Sequence, residues 1–373
     1  MRSRFKASQQ MKLAIVGING LPPAYGGFET LAANLVAQWK SCDIVVYCTS
    51  FGNDTSQKSY CGARLLYIPV KANGALSVLF DLIGMAHALL TGRVMLILGP
   101  SAGIFVPVLT WLGAKVVVNH GGLNEWEREK FSVLGRFWSR LSHSAAARFS
   151  KGNIVDNEEL KKSLMTSFGA QSVVVRYGGD HCSSGEIKSE LIKKYEFVDK
   201  PYYLAVARAQ IDNNIEMLVE AFRYLPNYSL VVVSNWHVNA HYQRFFEQEY
   251  PENITLLPAI YDQEELNGLR SNATAYIHSH SRCGTAPSLV EAMSLGLPVL
   301  SFDRPTNRET TKDRAKYFSD ERELQLLVSS TPSTELVAMG RDMASIARES
   351  YTWRIVAEQY LSEMLKAKSG QEL

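Results

Sequence analysis

The stretch Cys283-Gly-Thr-Ala-Pro-Ser-Leu-Val-Glu291 sets a glycine, two hydroxyls and a proline at the mouth of a helical run and a carboxylate one turn inside it. The first turn of a helix carries unpaired N–H groups and the positive end of the macrodipole, so a loop stripped of bulk can bring an anion onto it. Pro287 suits the first helical position, where its missing N–H costs nothing. Thr285 or Ser288 can cap the helix or reach a phosphate oxygen. Taken alone, the stretch is equally compatible with a well-capped helix that binds nothing.

Three other places carry possible chemistry. Gly26 and Gly27, in GINGLPPAYGGFETLAANLV, stand before a helix whose apolar face includes Leu31, Leu35 and Val36, so backbone can approach a ligand closely there. Their spacing is not the dinucleotide G-x-G-x-x-G fingerprint, and a long structural turn is the competing reading. Arg208, in AVARAQIDNNIEMLVEAF, falls just past a strand end, where a guanidinium can clamp diphosphate oxygens as a fork or simply lie on the surface. His278 and His280 alternate on one strand like metal ligands, but no carboxylate or third ligand of suitable spacing accompanies them, so no metal site is expected.

The elements that must position these residues are legible as alternating strands and helices. KLAIVG, DIVVYC, RLLYIP, VMLILG, KVVVNH, GNIVDN and SVVVRY read as strands of a first half, and YYLAVAR, SLVVVSN, ITLLPAI, AYIHSH, PVLSFD and AKYFSD as strands of a second. Their continuous apolar runs predict strands covered on both faces, as in parallel doubly wound sheets. The expected organisation is an N-terminal Rossmann-like domain over 11–180, a polar linker over 181–198, a C-terminal Rossmann-like domain over 199–350 and a closing helix over 351–373 that packs back on the first domain. Ligands of such sheets sit beyond the C-terminal strand ends, which for two facing domains is an interdomain cleft.

At 373 residues, 46% hydrophobic and 20% charged, the chain has the composition of a soluble two-domain protein. A net charge of +2 gives no case for nucleic acid. Five cysteines without metal-ligand spacing predict a reducing, cytoplasmic setting. The first ten residues lack the apolar core of a secretory signal, and Met11 is as plausible a start as Met1. The apolar region from Gly74 to Gly113 is broken by Asp81, His87, Arg93, glycines and prolines, and so reads as helix, strand and helix rather than a bilayer span. The run NEWEREKFSVLGRFWSRLSHSAAARFSK interleaves Phe131, Leu134, Phe137, Trp138 and Leu141 with Arg128, Lys130, Arg136, Arg140 and Arg148, which suits either packing on a core or docking on an anionic membrane. The final SGQEL is expected to fray.

The set GINGLPPAYGGFET, GPSAG, VNHGGLNEWEREK, ARAQIDNNIEMLVEAF, PAIYDQEEL and HSRCGTAPSLVEAMSLGLPV, in that order over nearly the whole chain, resembles bacterial family 4 glycosyltransferases of the GT-B fold. Within that family it is most similar to the rhamnosyltransferase branch of surface-polysaccharide assembly. The resemblance implies a nucleotide-diphosphate sugar held mainly by the C-terminal domain, an acceptor on the N-terminal domain, transfer with retention and no obligatory metal or other cofactor. Carried over by position, Glu291 holds the ribose hydroxyls, and the backbone of Ala286, Pro287, Ser288 and Leu289 faces the diphosphate. Arg208, Gly26 and Gly27 approach the same group, Ile260 and Tyr261 border the base, Cys283 stands where a sugar-contacting glutamate is usual, and Asn213, Gly284 and Thr285 belong to the same donor-binding set. His120, in VNHGG, matches a position at the sugar and acceptor end, although a lone histidine beside a strand is as often structural.

Two positions depart from the family pattern. The usual lysine five residues after the clamp arginine is Asn213, and the usual glutamate eight residues before Glu291 is Cys283. A thiol offers a sugar hydroxyl far less than a carboxylate does. The expected donor is therefore a 6-deoxy sugar such as dTDP-rhamnose, and the expected acceptor a saccharide or an undecaprenyl-diphosphate-linked saccharide of O-antigen, capsule or cell-wall polysaccharide. The expected location is cytoplasmic, peripheral on the inner membrane. A nucleotide-sugar epimerase of the same architecture and a catalytically silent partner protein are the alternatives.

Overall fold

The computed structural model describes residues 10–23, 26–121, 132–183 and 189–370. Arg128, Lys130 and Phe131 of the basic aromatic run, part of the 181–198 segment and the last three residues of the tail lie outside the described residues. The chain forms two compact units, Met1–Val175 with Val356–Leu373, and Arg176–Ile355.

The first unit is built on β1 (Lys12–Val16), β2 (Asp43–Thr49), β3 (Ser59–Tyr60), β4 (Ala63–Ile68), β5 (Val94–Leu98), β6 (Lys115–Asn119), β7 (Gly152–Val155) and β8 (Val173–Val174). They line up as β3-β4-β2-β1-β5-β6-β7-β8. All neighbours are parallel except β3 against β4. β5, Val-Met-Leu-Ile-Leu, is buried along its whole length, as continuous apolar strands between helix layers must be. Its helices are α1 (Gly27–Gln38), α2 (Ser77–Leu90), α3 (Val106–Trp111), α4 (Val133–Phe149) and α5 (Glu158–Phe168). Ala14, Val16, Val45, Met95, Ile97 and Val116 of the strands meet Phe80 and Met85 of α2 in one core.

The second unit holds β9 (Tyr202–Val206), β10 (Ser229–Ser234), β11 (Ile254–Pro258), β12 (Ala275–His278), β13 (Val299–Phe302) and β14 (Lys316–Phe318). These strands are parallel throughout and ordered β11-β10-β9-β12-β13-β14. Around them run α6 (Ser189–Lys194), α7 (Ile215–Arg223), α8 (Ala240–Phe246), α9 (Gln263–Asn272), α10 (Pro287–Ser294), α11 (Pro305–Thr311), α12 (Glu321–Ser330) and α13 (Ser333–Ser350). The stretch expected as a linker is not a free tether: Leu191 and Val198 are buried against Tyr202, Leu204 and Leu269. Polar spacing residues around those two anchors conceal them in the composition.

The last helix, α14 (Trp353–Ser369), starts in the second unit, and from Val356 onward it belongs to the first. Trp353, Val356, Ala357, Tyr360, Met364 and Ala367 are its buried stripe, at the three-to-four-residue spacing of an amphipathic helix. There the backbone carbonyl of Ala357 accepts the indole N–H of Trp39 at 3.0 Å, and Asn119 Nδ2 donates to the Tyr360 hydroxyl. Among the described residues no helix is long and apolar enough to cross a membrane.

Candidate functional site

In the second unit, β9 leads to β10 and β11 on one side of the sheet while β12, β13 and β14 extend on the other. The crevice beyond the ends of β9 and β12 is thus the topological switch point, where open α/β sheets bind ligands. Arg208 lies on the loop after β9, and the run from Cys283 to Glu291 follows β12. The two loops are laced together. Ser281 N donates to Asp212 O at 2.8 Å, Asn214 Nδ2 donates to Ser279 O at 2.8 Å, and Ser279 Oγ reaches Asn213 O.

Asn213 is buried, and its Nδ2 donates to the Arg208 carbonyl at 2.7 Å. The residue in the family's lysine position therefore braces the loop that carries Arg208. Arg208 itself is exposed, and its charge together with burial pushes the neighbouring His280 down to about 4, with burial the larger cause.

The mouth of α10 differs from the expectation in one respect. Its N-cap is Ala286, with no side-chain capping bond, and Pro287 stands in the first turn as expected. Ser288 instead bonds the hydroxyl of Tyr276, which in turn donates to Val206 O at 3.1 Å. Gly284, Thr285 and Ala286 are buried, so the approach to this turn is made of small groups. A helix start without a side-chain cap leaves first-turn N–H groups that no side chain of the cap satisfies.

Glu291, one turn inside α10, is set between two partners. Arg270 of α9, wholly buried, donates Nη2 to Oε2, and His181 Nε2 lies 3.3 Å from Oε1. Burial alone would raise the Glu291 pKa, but the Arg270 charge and the His181 hydrogen bond override it and hold the carboxyl down at about 2. The Trp353 indole N–H donates to His181 Nδ1 at 2.9 Å, so that nitrogen carries a lone pair. His181 is thereby the neutral tautomer with its Nε2–H aimed at the carboxylate, a form that burial favours against the pull toward the cation from its hydrogen bonds with Cys182 and Glu291. An ionised carboxylate accepts about four hydrogen bonds. With one donor on each oxygen, Glu291 keeps acceptor capacity, and its side chain is 12% exposed.

Neither Arg270 nor His181 was expected from sequence. A lone arginine in a helix and a histidine in a polar segment have no spacing signal that ties them to Glu291.

Ile260 and Tyr261 follow β11 and line a shallow groove with Pro258, Lys194, Tyr195 and Glu265. Lys194 Nζ and the Tyr195 hydroxyl both bond the Glu265 carboxylate there. Cys283 Sγ stands 3.6 Å from His278 Nε2 and 3.2 Å from Asn307 Oδ1. The third potential ligand found missing at the sequence level thus comes from the loop itself.

In the first unit the analogous switch point lies between β1 and β5. Gly26 adopts φ +125°, and a Cβ there would lie 2.1 Å from Glu29 Oε2. The Glu29 carboxylate folds back on the helix entrance and accepts from the N–H and the Nδ2 of Asn19, both at 3.1 Å. The first turn that begins at Gly27 therefore already faces a carboxylate of its own, which the glycine spacing did not reveal.

His120 is buried, and its Nε2 is 2.8 Å from Asn153 Oδ1. Asn153 Nδ2 donates to the carbonyls of Ala147 and Gln171, which fixes Oδ1 as the acceptor and Nε2 as the protonated nitrogen of His120. Burial, then the neighbouring His143, push His120 down to about 3. It is a neutral ring with a lone pair at Nδ1, and a weak base.

Residues 187–329 match the family described as glycosyl transferases group 1, and residues 10–180 match a domain of unknown function, DUF1972. No curated protein matches the chain by sequence. The chain is similar in structure to HepE of Anabaena solved with UDP-glucose, at 14% identity and a TM-score of 0.73, covering 97% of this chain and 100% of that one. Sucrose-phosphate synthase from Thermosynechococcus elongatus matches at 15% identity and a TM-score of 0.76, over 97% of this chain and 100% of that chain. An α,α-trehalose 6-phosphate synthase from Burkholderia multivorans matches at 10% identity and a TM-score of 0.75, over 97% and 98%. The fold is GT-B, and the group 1 domain marks the chain as a glycosyltransferase.

Proposed function

We propose that this GT-B glycosyltransferase moves a sugar, with retention, from a pyrimidine-nucleotide diphosphate to a saccharide or lipid-linked saccharide acceptor of a surface polysaccharide. The observation that carries the donor assignment is the mouth of α10, without a side-chain cap, flanked by Arg208 and by Glu291 with acceptor capacity to spare. The diphosphate lies on the helix start and the guanidinium, and the nucleotide's pentose donates to Glu291, through its 2′- and 3′-hydroxyls in UDP and through the 3′-hydroxyl alone in dTDP.

Cleavage of the glycosidic C–O bond builds negative charge on the departing diphosphate. Preorganised N–H groups and Arg208 then bind it more tightly in the transition state than in the ground state. The acceptor hydroxyl attacks from the face the diphosphate leaves, and its proton passes to the leaving phosphate. His120, neutral, buried and weakly basic, is not suited to removing the acceptor's proton.

Glutamine at Glu291 is the informative change, because alanine would also strand Arg270. Glu291→Gln is expected to weaken binding of UDP or dTDP by roughly 1.5 to 3 kcal/mol, the worth of a hydrogen bond to a charged group. Inorganic diphosphate should lose little. Calorimetric titration of both ligands decides it, and equal losses would remove the ribose role.

Cys283 in place of a carboxylate supports a 6-deoxy donor such as dTDP-rhamnose, while the relatives solved with UDP or UDP-glucose support a pyrimidine nucleotide. Product analysis across dTDP-rhamnose, UDP-glucose and GDP-mannose tests this. Turnover of either hexose donor without turnover of dTDP-rhamnose rejects the deoxy sugar, and donor loss without any acceptor-dependent product favours an epimerase instead.

An apolar face of the first unit supports peripheral contact with the cytosolic leaflet. Trp111 is 84% exposed, Leu134 80% and Phe137 62%, and α4 carries Arg136, Arg140 and Arg148 without any acidic residue. Aromatic and basic side chains together suit an anionic lipid surface. The protein is expected to sediment with phosphatidylglycerol vesicles and not with phosphatidylcholine vesicles, and Trp111→Glu with Phe137→Glu should abolish this. Equal sedimentation of the double variant would dismiss the surface.

A further inference from the structure

Two side-chain clusters in the second unit bring three metal-ligating types together: His181 with Cys182 and Glu291, and His278 with His280 and Cys283. In the first, the ligand atoms are already committed, His181 Nδ1 to the Trp353 indole and Glu291 to Arg270. The second cluster is different. One nitrogen of each histidine and the Cys283 sulfur lie within 4.8 Å of one another. His280 Nε2 is buried with no hydrogen-bond partner among the described residues, an arrangement that proteins rarely leave without a use, and His278 turns its Nε2 to the Cys283 sulfur.

The geometry points to a binding site for a thiophilic cation of the zinc class, made by His278, His280 and Cys283. In a tetrahedral site, zinc–nitrogen and zinc–sulfur bonds of about 2.0–2.1 and 2.3 Å put an imidazole nitrogen and a thiolate sulfur roughly 3.6 Å apart. His278 Nε2 and Cys283 Sγ are 3.6 Å apart. Behind the sulfur, Asn307 is held rigid because its Nδ2 donates to the carbonyls of His280 and Phe302 at 3.0 and 2.8 Å. Its Oδ1, 3.2 Å from Sγ, is available as a fourth ligand or as an acceptor for a metal-bound water. Binding replaces the thiol proton, which leaves to solvent, so affinity rises with pH.

Cys283 opens the run into α10, so an ion held there sits at the entrance assigned to the donor. This consequence rests on the glycosyltransferase reading, whereas the binding itself does not. The cation and the sugar end of the donor then exclude one another.

Titration of the full chain with Cd2+, followed by thiolate-to-cadmium ultraviolet absorption, tests the site. One equivalent is expected to bind to the wild type and to be lost in Cys283→Ser. His280→Gln should weaken it by at least the roughly 10–100-fold that loss of an outer-shell partner alone costs. Zn2+ should raise the thermal unfolding midpoint of the wild type and leave that of Cys283→Ser unchanged. Absence of a binding step, or a step of equal affinity in Cys283→Ser, overturns the proposal. Cd2+ binding that UDP and dTDP-rhamnose do not weaken upholds the metal site and counts against the donor assignment.

Discussion

Replacing Arg270 with alanine is expected to destabilise the Arg176–Ile355 unit by about 3–5 kcal/mol, the cost of removing one partner from a buried ion pair. Arg270 is 1% exposed and gives its guanidinium to Glu291, so the variant leaves a buried carboxylate whose main counter-charge is gone. That carboxyl, now held at about 2, should titrate much higher. A double variant, Arg270→Met with Glu291→Met, removes both charges and should recover most of the loss, since apolar replacements of buried pairs are often neutral or stabilising. It should nevertheless bind no nucleotide. Urea unfolding followed by tryptophan fluorescence checks the stabilities. A loss below about 1 kcal/mol for the single variant would mean that the pair is solvated like a surface ion pair.

Acid should weaken the fold steeply well before the ordinary carboxylates titrate. His120 and His280 are held to about 3 and 4 in the folded chain, and burial holds His278 well below its ordinary value too. Unfolded histidines protonate near pH 6.5, so below that pH the unfolded chain binds more protons. The stability these three contribute is complete above about 6.5 and is lost as pH falls toward their folded values. Asp81 works in the opposite sense. Burial raises it to about 7, opposed by its hydrogen bond from Ser101, so it holds a proton in the fold that an unfolded carboxyl has released, and it favours folding as pH falls. Each group contributes at most about 1.4 kcal/mol per pH unit, so the three histidines outweigh the one aspartate and the fold loses stability as pH falls between roughly 6 and 4.5. Below about 4.5, Glu291 adds to the loss. Urea midpoints from pH 7 to 4.5 measure this, and Asp81→Asn should steepen the slope. A midpoint that holds or rises as pH falls would contradict it.

The parallel sheets were legible because apolar runs such as Val94–Leu98 are buried on both sides, and that burial writes itself into consecutive positions. The place of the candidate site was legible for a related reason. Strand-loop-helix junctions with Gly284, Pro287 and Arg208 mark where side chains have been kept away from a strand end. What surrounds Glu291 was hidden, because Arg270, His181 and Trp353 reach it from three separate segments and no local pattern registers such convergence. Glu29 escaped notice for the opposite reason: it lies so near Gly26 that it passes for an ordinary first-turn acid. His278 and His280 were seen, but their third neighbour lay around a turn where strand periodicity no longer predicts direction.

The helix α14 makes the first unit discontinuous in sequence, and this bears on the order in which the chain can be completed. As synthesis proceeds, the residues up to Val175 emerge with the Trp39 indole and the Asn119 amide still lacking the partners that Ala357 and Tyr360 supply. The unit encoded first is therefore the unit finished last. Until the final segment leaves the ribosome, the surface that receives Val356, Met364 and Ala367 stays open to water and to other chains. A message cut short before Val356 would release a chain whose first unit has all its strands but lacks the helix segment that covers it, and such a product is a natural target for the cell's proteases and chaperones.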